Sequence, residues 1–194
     1  MSESMGVLAT VHLEGHGPYS PSRMHESQKL TKEANDAYDQ RTWQEKALYD
    51  KDGHVIIPRM AFKFALMDAA KYLGETIPGK GKKTWTGYFT SAVQIDNDLV
   101  LPLKKDQLAK VRINAHVSGD RKSGKRVLRT FPLVLSWKGT LEVYILDETI
   151  TKEIFGRVLE YAGKFIGIGR FRPQNGGFNG RFVVKKIEWK KLSD

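Results

Sequence analysis

Positive charge is concentrated in three segments that also contain glycine: PGKGKKTW (78–85), GDRKSGKR (119–126) and FIGIGRFRPQNGGFNGRFVV (165–184). Glycine lets a backbone approach a ligand closely, arginine and lysine bind phosphate, and phenylalanine can stack on a base. This combination predicts a surface for a nucleic-acid backbone. Its candidate residues are Lys80, Lys82, Lys83, Arg121, Lys122, Lys125, Arg126, Arg170, Arg172, Phe178 and Arg181.

The third segment has a second interpretation. Its glycines would serve equally well in a turn that packs against a sheet, leaving the arginines in solvent. We favour contact with RNA, because phosphate and base binding account for the glycines, the arginines and the phenylalanines together.

The net charge points to a polyanionic partner. The chain has 32 Lys and Arg against 22 Asp and Glu, a formal charge of +10. The three basic segments contain almost no acidic residues, whereas on a salt-bridged helix face acidic residues alternate with basic ones. The alternative is a basic protein without a nucleic-acid partner.

Two further cations fall on a predicted helix. The segment VIIPRMAFKFALMDAA (55–70) has apolar residues at helical spacing, and Gly74 marks a helix end. Arg59 and Lys63 lie one turn apart near the helix start, where free N–H groups favour an anion. They either share a phosphate or are simply solvated. Arg23, after the first predicted strand, is another candidate for RNA contact.

The remaining sequence alternates between strand and helix patterns. Alternating apolar residues predict strands at 6–15 and 109–118, and the segment 84–95 has strand composition. Helical periodicity at 149–167 is followed by a final strand at 181–189. The order is therefore strand, helix, two or more strands, helix, strand.

This order predicts an α+β fold with a ferredoxin-like or RRM-like βαββαβ core. We predict a single domain over residues 1–194, with an excursion at 16–54 after the first strand. A long β-hairpin is predicted at 109–135 and a glycine-rich loop at 165–182. Helices on one face of the sheet would leave the other face open to a ligand or partner.

Other chemistries lack a convincing motif. Residues 119–125 fit the first part of a nucleotide-binding loop, but Arg126 stands where a magnesium-binding Ser or Thr is needed, and a strand rather than a helix follows. The sequence has no cysteine, and its His, Asp and Glu residues lack metal-ligand spacing. We therefore expect neither metal nor cofactor.

The element order and two motifs resemble the RAMP superfamily of CRISPR-associated proteins. GGFNGRFVV (176–184) is similar to that family's glycine-rich loop between the last helix and last strand. The 55–70 segment is similar to the family's entry into its first core helix, with an apolar-Pro segment and then a basic residue. The long hairpin and the excursion most resemble the Cas7 type. The chain is short for that type, so a free-standing or phage-borne relative stays open.

The resemblance implies a non-catalytic subunit that coats single-stranded guide RNA through its phosphate backbone. Several copies would assemble within a ribonucleoprotein effector complex for antiviral defence. The implied partners are guide RNA, target nucleic acid, other copies of the chain and other subunits of the complex.

Two alternatives come from the same resemblance. RAMP endoribonucleases that process guide RNA without a metal often use a histidine near the positions of His16 and His25. His12 and His116 lie in predicted strands, where a structural role is expected. The other alternative is a phage protein that binds single-stranded nucleic acid or interferes with a CRISPR complex.

The sequence also bears on location. No apolar run approaches the roughly 18 residues of a membrane-spanning helix. The N-terminal sequence MSESMGVLATV lacks the basic start and apolar stretch of a secretion signal. We expect a cytoplasmic protein with no membrane partner.

Overall fold

The computed structural model describes residues 6–116 and 126–192. The strands are β1 (Val7–Gly15), β2 (Leu48–Tyr49), β3 (His54–Ile57), β4 (Val93–Ile95), β5 (Leu99–Lys104), β6 (Ala109–His116), β7 (Arg126–Leu133), β8 (Lys138–Ile145) and β9 (Phe182–Lys191). The α-helices are α1 (Asn35–Thr42), α2 (Arg59–Leu73), α3 (Thr86–Ser91) and α4 (Lys152–Tyr161).

A four-stranded antiparallel sheet in the order β4-β8-β1-β9 forms the centre of the fold. Val7 lies opposite Ile145 of β8 on one side and Lys191 of β9 on the other. Along the chain, the core reads β1, α2, β4, β8, α4, β9. This order and connectivity confirm the α+β, ferredoxin-like core that the sequence predicted.

One face of the sheet is buried because the strands alternate. In β1, the side chains of Val7, Ala9, Val11 and Leu13 are buried, and the intervening residues are more exposed. Helices α2 and α4 join the same core through the buried residues Phe62, Ala65, Leu66, Ala69, Phe155, Val158 and Leu159. The spacing of three and four residues matches the helical period. Helix α2 ends at Gly74, whose φ is 59°.

Two insertions extend the core, and they correspond to the excursion and the long hairpin that the sequence predicted. The segment between β1 and α2 holds α1, β2 and β3, and the segment between β4 and β8 holds β5, β6 and β7. Strands β2, β3 and β5 form a small sheet, while β6 and β7 form the hairpin. The predicted tip residues Arg121, Lys122 and Lys125 lie outside the described residues.

The segment 84–95 corrects the sequence prediction. It was expected to be a strand, but Thr86–Ser91 is helical and only Val93–Ile95 is extended. Trp85 and Phe89 lie four residues apart and both are buried. Burial at helical spacing outweighs the strand preference of threonine and aromatic residues. Within the described ranges, no helix combines the length and apolar character needed to cross a membrane.

Candidate functional site

The glycine-rich segment closes on itself. The Ile168 N–H donates to the Gly180 carbonyl at 3.0 Å, and the Asn179 N–H donates to the Phe171 carbonyl at 3.0 Å. A Cβ atom added to Gly180, whose φ is +75°, would lie 1.8 Å from the Ile168 oxygen. At Gly177, a Cβ atom would lie 1.8 Å from the Phe171 oxygen. Close approaches within the protein therefore require these two glycines.

The same loop is hydrogen-bonded to the chain that follows β1. The Arg170 N–H donates to the Ser20 carbonyl at 2.8 Å, and the His16 N–H donates to the Arg181 carbonyl at 2.8 Å. The Phe178 side chain, at 81% exposure, projects into solvent. The packed turn therefore accounts for the backbone of the segment. Of its candidates for ligand contact, Phe178 is exposed, whereas the Arg172 guanidinium lies 3.5 Å from the Asp68 carboxylate.

A groove of about 300 Å³ runs between this loop, the N-terminal half of α2 and strands β2 and β3. Three cations line it: Arg23, Lys46 and Arg172. Its apolar lining includes Met60 and Phe64, and 51% of the Phe64 surface is exposed. The lining residues also include Tyr19, Pro21, Ser22, Leu48, Ile56, Pro58, Ala61 and Gly169. Positive and apolar side chains therefore share one concave surface.

A buried cluster of charges adjoins the groove through Lys46. The Lys46 Nζ donates to the Asp39 carboxylate at 3.0 Å and to the Thr130 carbonyl at 2.8 Å. The Arg129 Nε donates to the other oxygen of the same carboxylate. Asp39 is 1% exposed and Lys46 is 5% exposed. Burial lowers the pKa of Lys46, and Asp39 partly restores it.

Arg170 completes this cluster. Its guanidinium carbon lies 4.5 Å from the centre of the Phe131 ring, and the Lys46 Nζ lies 4.7 Å from the same centre. Burial, followed by the positive charge of Arg129, lowers the pKa of Arg170. Lys46 and Arg129 therefore contact the Asp39 carboxylate, and Arg170 adds a third positive charge beside the ring that Lys46 also contacts.

The two cations predicted at the start of α2 have partners within the chain. The Asp98 carboxylate accepts from the Arg59 N–H at 2.7 Å, and the Arg59 side chain donates to the Asp96 carbonyl at 2.6 Å. The anion at this helix start is thus supplied by the protein itself. The role of Arg59 in RNA binding stays a prediction, and these contacts disfavour it.

Lys63 caps the C-terminal end of α3. Its Nζ donates to the carbonyls of Phe89 at 2.7 Å and Thr90 at 2.9 Å, and also to that of Val93. An ammonium group has three N–H donors, so these carbonyls use all of them. RNA contact by Lys63 therefore stays a prediction that the structure disfavours.

The lysine-rich loop lies away from the groove. It follows Gly74, about 15 Å along the helix axis from Phe64 at 1.5 Å per residue. Within it, the Lys80 Nζ donates to the Tyr88 hydroxyl at 2.6 Å, and Lys82 and Lys83 extend the same loop. Arg126 begins β7 and is also exposed. The structure does not bring these cations to the groove.

Arg181 lines a second cavity of about 410 Å³, together with His16, Glu160 and Lys164. The Arg181 Nε donates to the Lys164 carbonyl at 3.2 Å. His25 is elsewhere: its Nδ1 lies 3.4 Å from the Glu45 carboxylate, and its ring is 5.9 Å from that of Tyr38. His16 therefore shares a cavity with two cationic side chains, whereas His25 contacts Glu45 and Tyr38.

Among the described residues, Asp50, Asp52 and His54 form one group with the spacing of metal ligands, and their ligand atoms lie within 4.8 Å of one another. The sequence reasoning did not select this group. Asp50 accepts from the Asp52 and His54 N–H groups and lies 3.1 Å from the His54 ring nitrogen. These bonds hold the turn before β3, so the group needs no ion to explain it.

Sequence reasoning did not predict the cluster of Asp39, Lys46 and Arg129. Asp39 and Lys46 are seven residues apart, a spacing that places side chains on one side of a helix, and this was the only local signal. Arg129 comes from the hairpin, so its contact with Asp39 depends on tertiary packing. Arg170 and Arg172, which the sequence selected for RNA contact, lie at the cluster and at the groove respectively, and their contact with RNA stays a prediction.

The fold is similar to that of two solved structures. A chain in the cryo-EM structure of the Type III-B Cmr-beta bound to cognate target RNA matches with a TM-score of 0.53 and 14% identity. The match covers 95% of this chain and 61% of that chain, so this chain spans about three-fifths of its length. Cmr6 from Pyrococcus furiosus matches with a TM-score of 0.51 and 15% identity, over 92% of this chain and 98% of that one.

At sequence level, no protein-family model matches and no curated relative was found. Identities of 14% and 15% establish a shared fold and do not single out the Cas7 type. The resemblance inferred from the glycine-rich loop and the element order is confirmed at that level: the chain has a RAMP-like fold.

Proposed function

We propose that this chain is an RNA-binding subunit of a CRISPR ribonucleoprotein complex, holding single-stranded guide RNA by its phosphate backbone. The groove carries the proposal, because Arg23, Lys46 and Arg172 line it beside the exposed side chains of Met60 and Phe64. Proteins bind single strands in this way, with phosphates on cations and bases against flat apolar surfaces. The similar Type III-B structure is bound to target RNA, which supports the same ligand class here.

The dimensions of the groove favour a single strand over a duplex. A volume of about 300 Å³ admits a base and its backbone, but not a double helix. In an A-form duplex the bases are stacked inside and cannot reach Phe64. We therefore expect single-stranded RNA to bind more tightly than duplex RNA of equal length.

We propose that binding proceeds without catalysis. Across the described part of the chain, the residues that line the groove include no histidine, aspartate or glutamate. General acid–base catalysis near neutral pH relies most often on such side chains. RNA held there would contact cationic, apolar and hydroxyl-bearing side chains.

Several copies would line up along one RNA, with other subunits completing the complex in the cytoplasm. The hairpin and the excursion are the surfaces proposed to meet neighbouring copies, because both extend beyond the ferredoxin-like core. Native mass spectrometry with RNAs of increasing length tests this arrangement. Copies should be added at regular length intervals, and a constant single copy would contradict it.

The decisive experiment measures binding by fluorescence anisotropy with single-stranded RNA, duplex RNA and single-stranded DNA of one sequence. The variant Arg23→Gln/Arg172→Gln removes two groove charges, and Lys138→Gln/Lys190→Gln removes two from the outer face of the central sheet. We expect at least a tenfold loss for the first pair and little change for the second, since each charged contact contributes about 1 kcal/mol or more. Equal losses would contradict the groove as the binding site.

Purification from the native operon adds an independent test. RNA of uniform length that co-purifies with several copies of the chain would support a guide-coating subunit. Preferential recovery of single-stranded DNA would favour a phage-type single-strand-binding protein, for which the same groove charges would serve.

A second candidate function is metal-independent RNA cleavage at the cavity that holds His16, Lys164 and Arg181. A histidine can transfer the proton of a 2′-hydroxyl, and neighbouring cations can stabilise the charge that develops on the phosphate. Cleavage should then persist in a chelator and disappear in His16→Ala while binding is retained. If His16→Ala cleaves at the wild-type rate, this candidate fails.

A further inference from the structure

The charges around Asp39 do not balance. Its carboxylate contacts Lys46 and Arg129, and Arg170 lies against the Phe131 ring that Lys46 also contacts. One negative charge therefore faces three positive charges in a largely buried setting. Like charges that are close together and poorly hydrated repel one another more strongly than in water.

The Arg170 guanidinium has no acceptor among the described residues, and its Nε is buried without a hydrogen-bond partner. The guanidinium carbon lies 4.5 Å from the centre of the Phe131 ring, a cation–π contact that does not itself supply an oxygen acceptor for the N–H groups. Lys46 is also incompletely used: Asp39 and Thr130 take two of its three donors. Donors without acceptors, together with surplus positive charge, are what a bound anion would satisfy.

The cluster has access to the groove. Lys46 lines the groove, and so do Gly169 and Arg172, which lie three positions apart in the chain with Arg170 between them. Arg170 itself is half-buried and is not among the groove residues, so an anionic group would have to enter the cluster beside Lys46 to reach it. The depth of Lys46 and Phe131, both at most 5% exposed, would limit that group to a small one.

We propose that Arg170, Lys46 and Arg129 form a subsite for one phosphodiester group, with the Arg170 fork donating to its two non-bridging oxygens. The identity of the ligand rests on the proposed RNA-binding function. A phosphodiester fits because it carries one negative charge and presents two oxygens to a planar fork. The negative charge of the phosphodiester would reduce the excess positive charge of the cluster. Asp39 holds Lys46 and Arg129 in position.

Neutralising one phosphate at a time tests the subsite. A short single-stranded RNA is made as a series in which a methylphosphonate replaces a single linkage, and affinities are measured for the wild type, Arg170→Gln and Lys138→Gln. In the wild type and in Lys138→Gln, one linkage should weaken binding about tenfold or more on neutralisation, in keeping with a charged hydrogen-bonded contact. In Arg170→Gln, that linkage should become equivalent to the others.

Other outcomes distinguish failure of the phosphodiester subsite from failure of the proposed RNA-binding function. If the unmodified RNA binds tightly but all linkages are equivalent in the wild type, the subsite is overturned and the proposed function stands. If no RNA binds, the proposed function fails, and inorganic phosphate becomes the probe in a thermal-shift titration against chloride at equal ionic strength. Stabilisation lost in Arg170→Gln would then support an anion subsite for free phosphate, and its absence in the wild type would overturn it.

A second variant covers the case in which Arg170→Gln does not fold. Arg170→Lys keeps the positive charge and removes the planar fork, and circular dichroism establishes that each variant is folded. We expect Arg170→Lys to retain overall binding better than Arg170→Gln while losing most of the preference for one linkage. An unchanged preference in Arg170→Lys would overturn the role of the fork. A DNA series of the same sequence shows whether the phosphodiester must come from RNA.

Discussion

The groove side and the outer face of the central sheet carry similar cations in different electrostatic settings. On the outer face, Lys185 lies 2.8 Å from Glu14, and Lys186 lies 2.7 Å from Glu188. In the cluster beside the groove, Arg129 and Lys46 share one carboxylate. Counting cations alone would not distinguish the two surfaces as candidate phosphate-binding sites. Pairing separates them, because a cation that already has an acidic partner offers less to a phosphate.

The difference has a topological cause. On a sheet, cross-strand neighbours are close, so acids and bases on adjacent strands pair across short distances. The cations of the groove side come from separate segments: the excursion, the hairpin and the glycine-rich loop. Their convergence depends on tertiary structure: Lys46 and Arg129 share Asp39, Arg172 lies 3.5 Å from the Asp68 carboxylate, and Arg23 has no acidic partner among the described residues.

Removing the shared acid should give the largest effect. In Asp39→Asn, Lys46 and Arg129 lose their carboxylate while staying buried or half-buried. Breaking a buried pair costs about 3 to 5 kcal/mol, so we expect a loss of about 3 kcal/mol in the free energy of unfolding measured in urea. The matched change Glu14→Gln on the outer sheet face should leave the free energy of unfolding nearly unchanged, because solvent screens an exposed ion pair. Equal losses would remove the distinction between the two surfaces.

The loop that forms one wall of the groove should tolerate little change. Gly180 and Gly79 both have φ of +75°, but an added Cβ meets the Ile168 oxygen at 1.8 Å in the first and nothing within 4 Å in the second. Both alanine variants carry the left-handed strain of about 1 to 2 kcal/mol. The clash adds to it in Gly180→Ala, so we expect about 3 kcal/mol there and about 1 kcal/mol in Gly79→Ala. Similar losses would show that the loop relaxes freely.

Local patterns predicted the core and part of the site. The strand β1 and the helix α2 were predicted because each buries one face at its own period. Helix α3 was missed, since its threonine and aromatic residues favour strands and only the burial of Trp85 and Phe89 selects a helix. Arg170 was found through its glycine-rich surroundings. Lys46 and Arg129 were not, because their meeting at Asp39 joins distant parts of the chain.

Base stacking gives a prediction of intermediate size. Phe64 is half-exposed in the groove, whereas Tyr72 is 61% exposed two turns further along the same helix and is not among the groove residues. Stacking of one base contributes about 1 to 3 kcal/mol, so Phe64→Ala should weaken RNA binding about tenfold in anisotropy titrations. Tyr72→Ala should bind as the wild type does. A greater loss in Tyr72→Ala would move the RNA away from the groove.

The smallest effect concerns salt dependence. For a single-stranded nucleic acid, the slope of the logarithm of the association constant against the logarithm of the salt concentration is about −0.7 per neutralised phosphate. Arg23 lines the groove, and the structure shows no acidic partner for it among the described residues; Lys186 is paired with Glu188. Titrations from low to moderate salt should therefore give Arg23→Gln a slope shallower by about 0.7, with Lys186→Gln unchanged.

The slope reports phosphates directly, so an unchanged slope in Arg23→Gln would mean that any affinity lost there has another cause. A shallower slope in Lys186→Gln would show that a paired cation also reaches the backbone, and pairing would no longer distinguish the two surfaces.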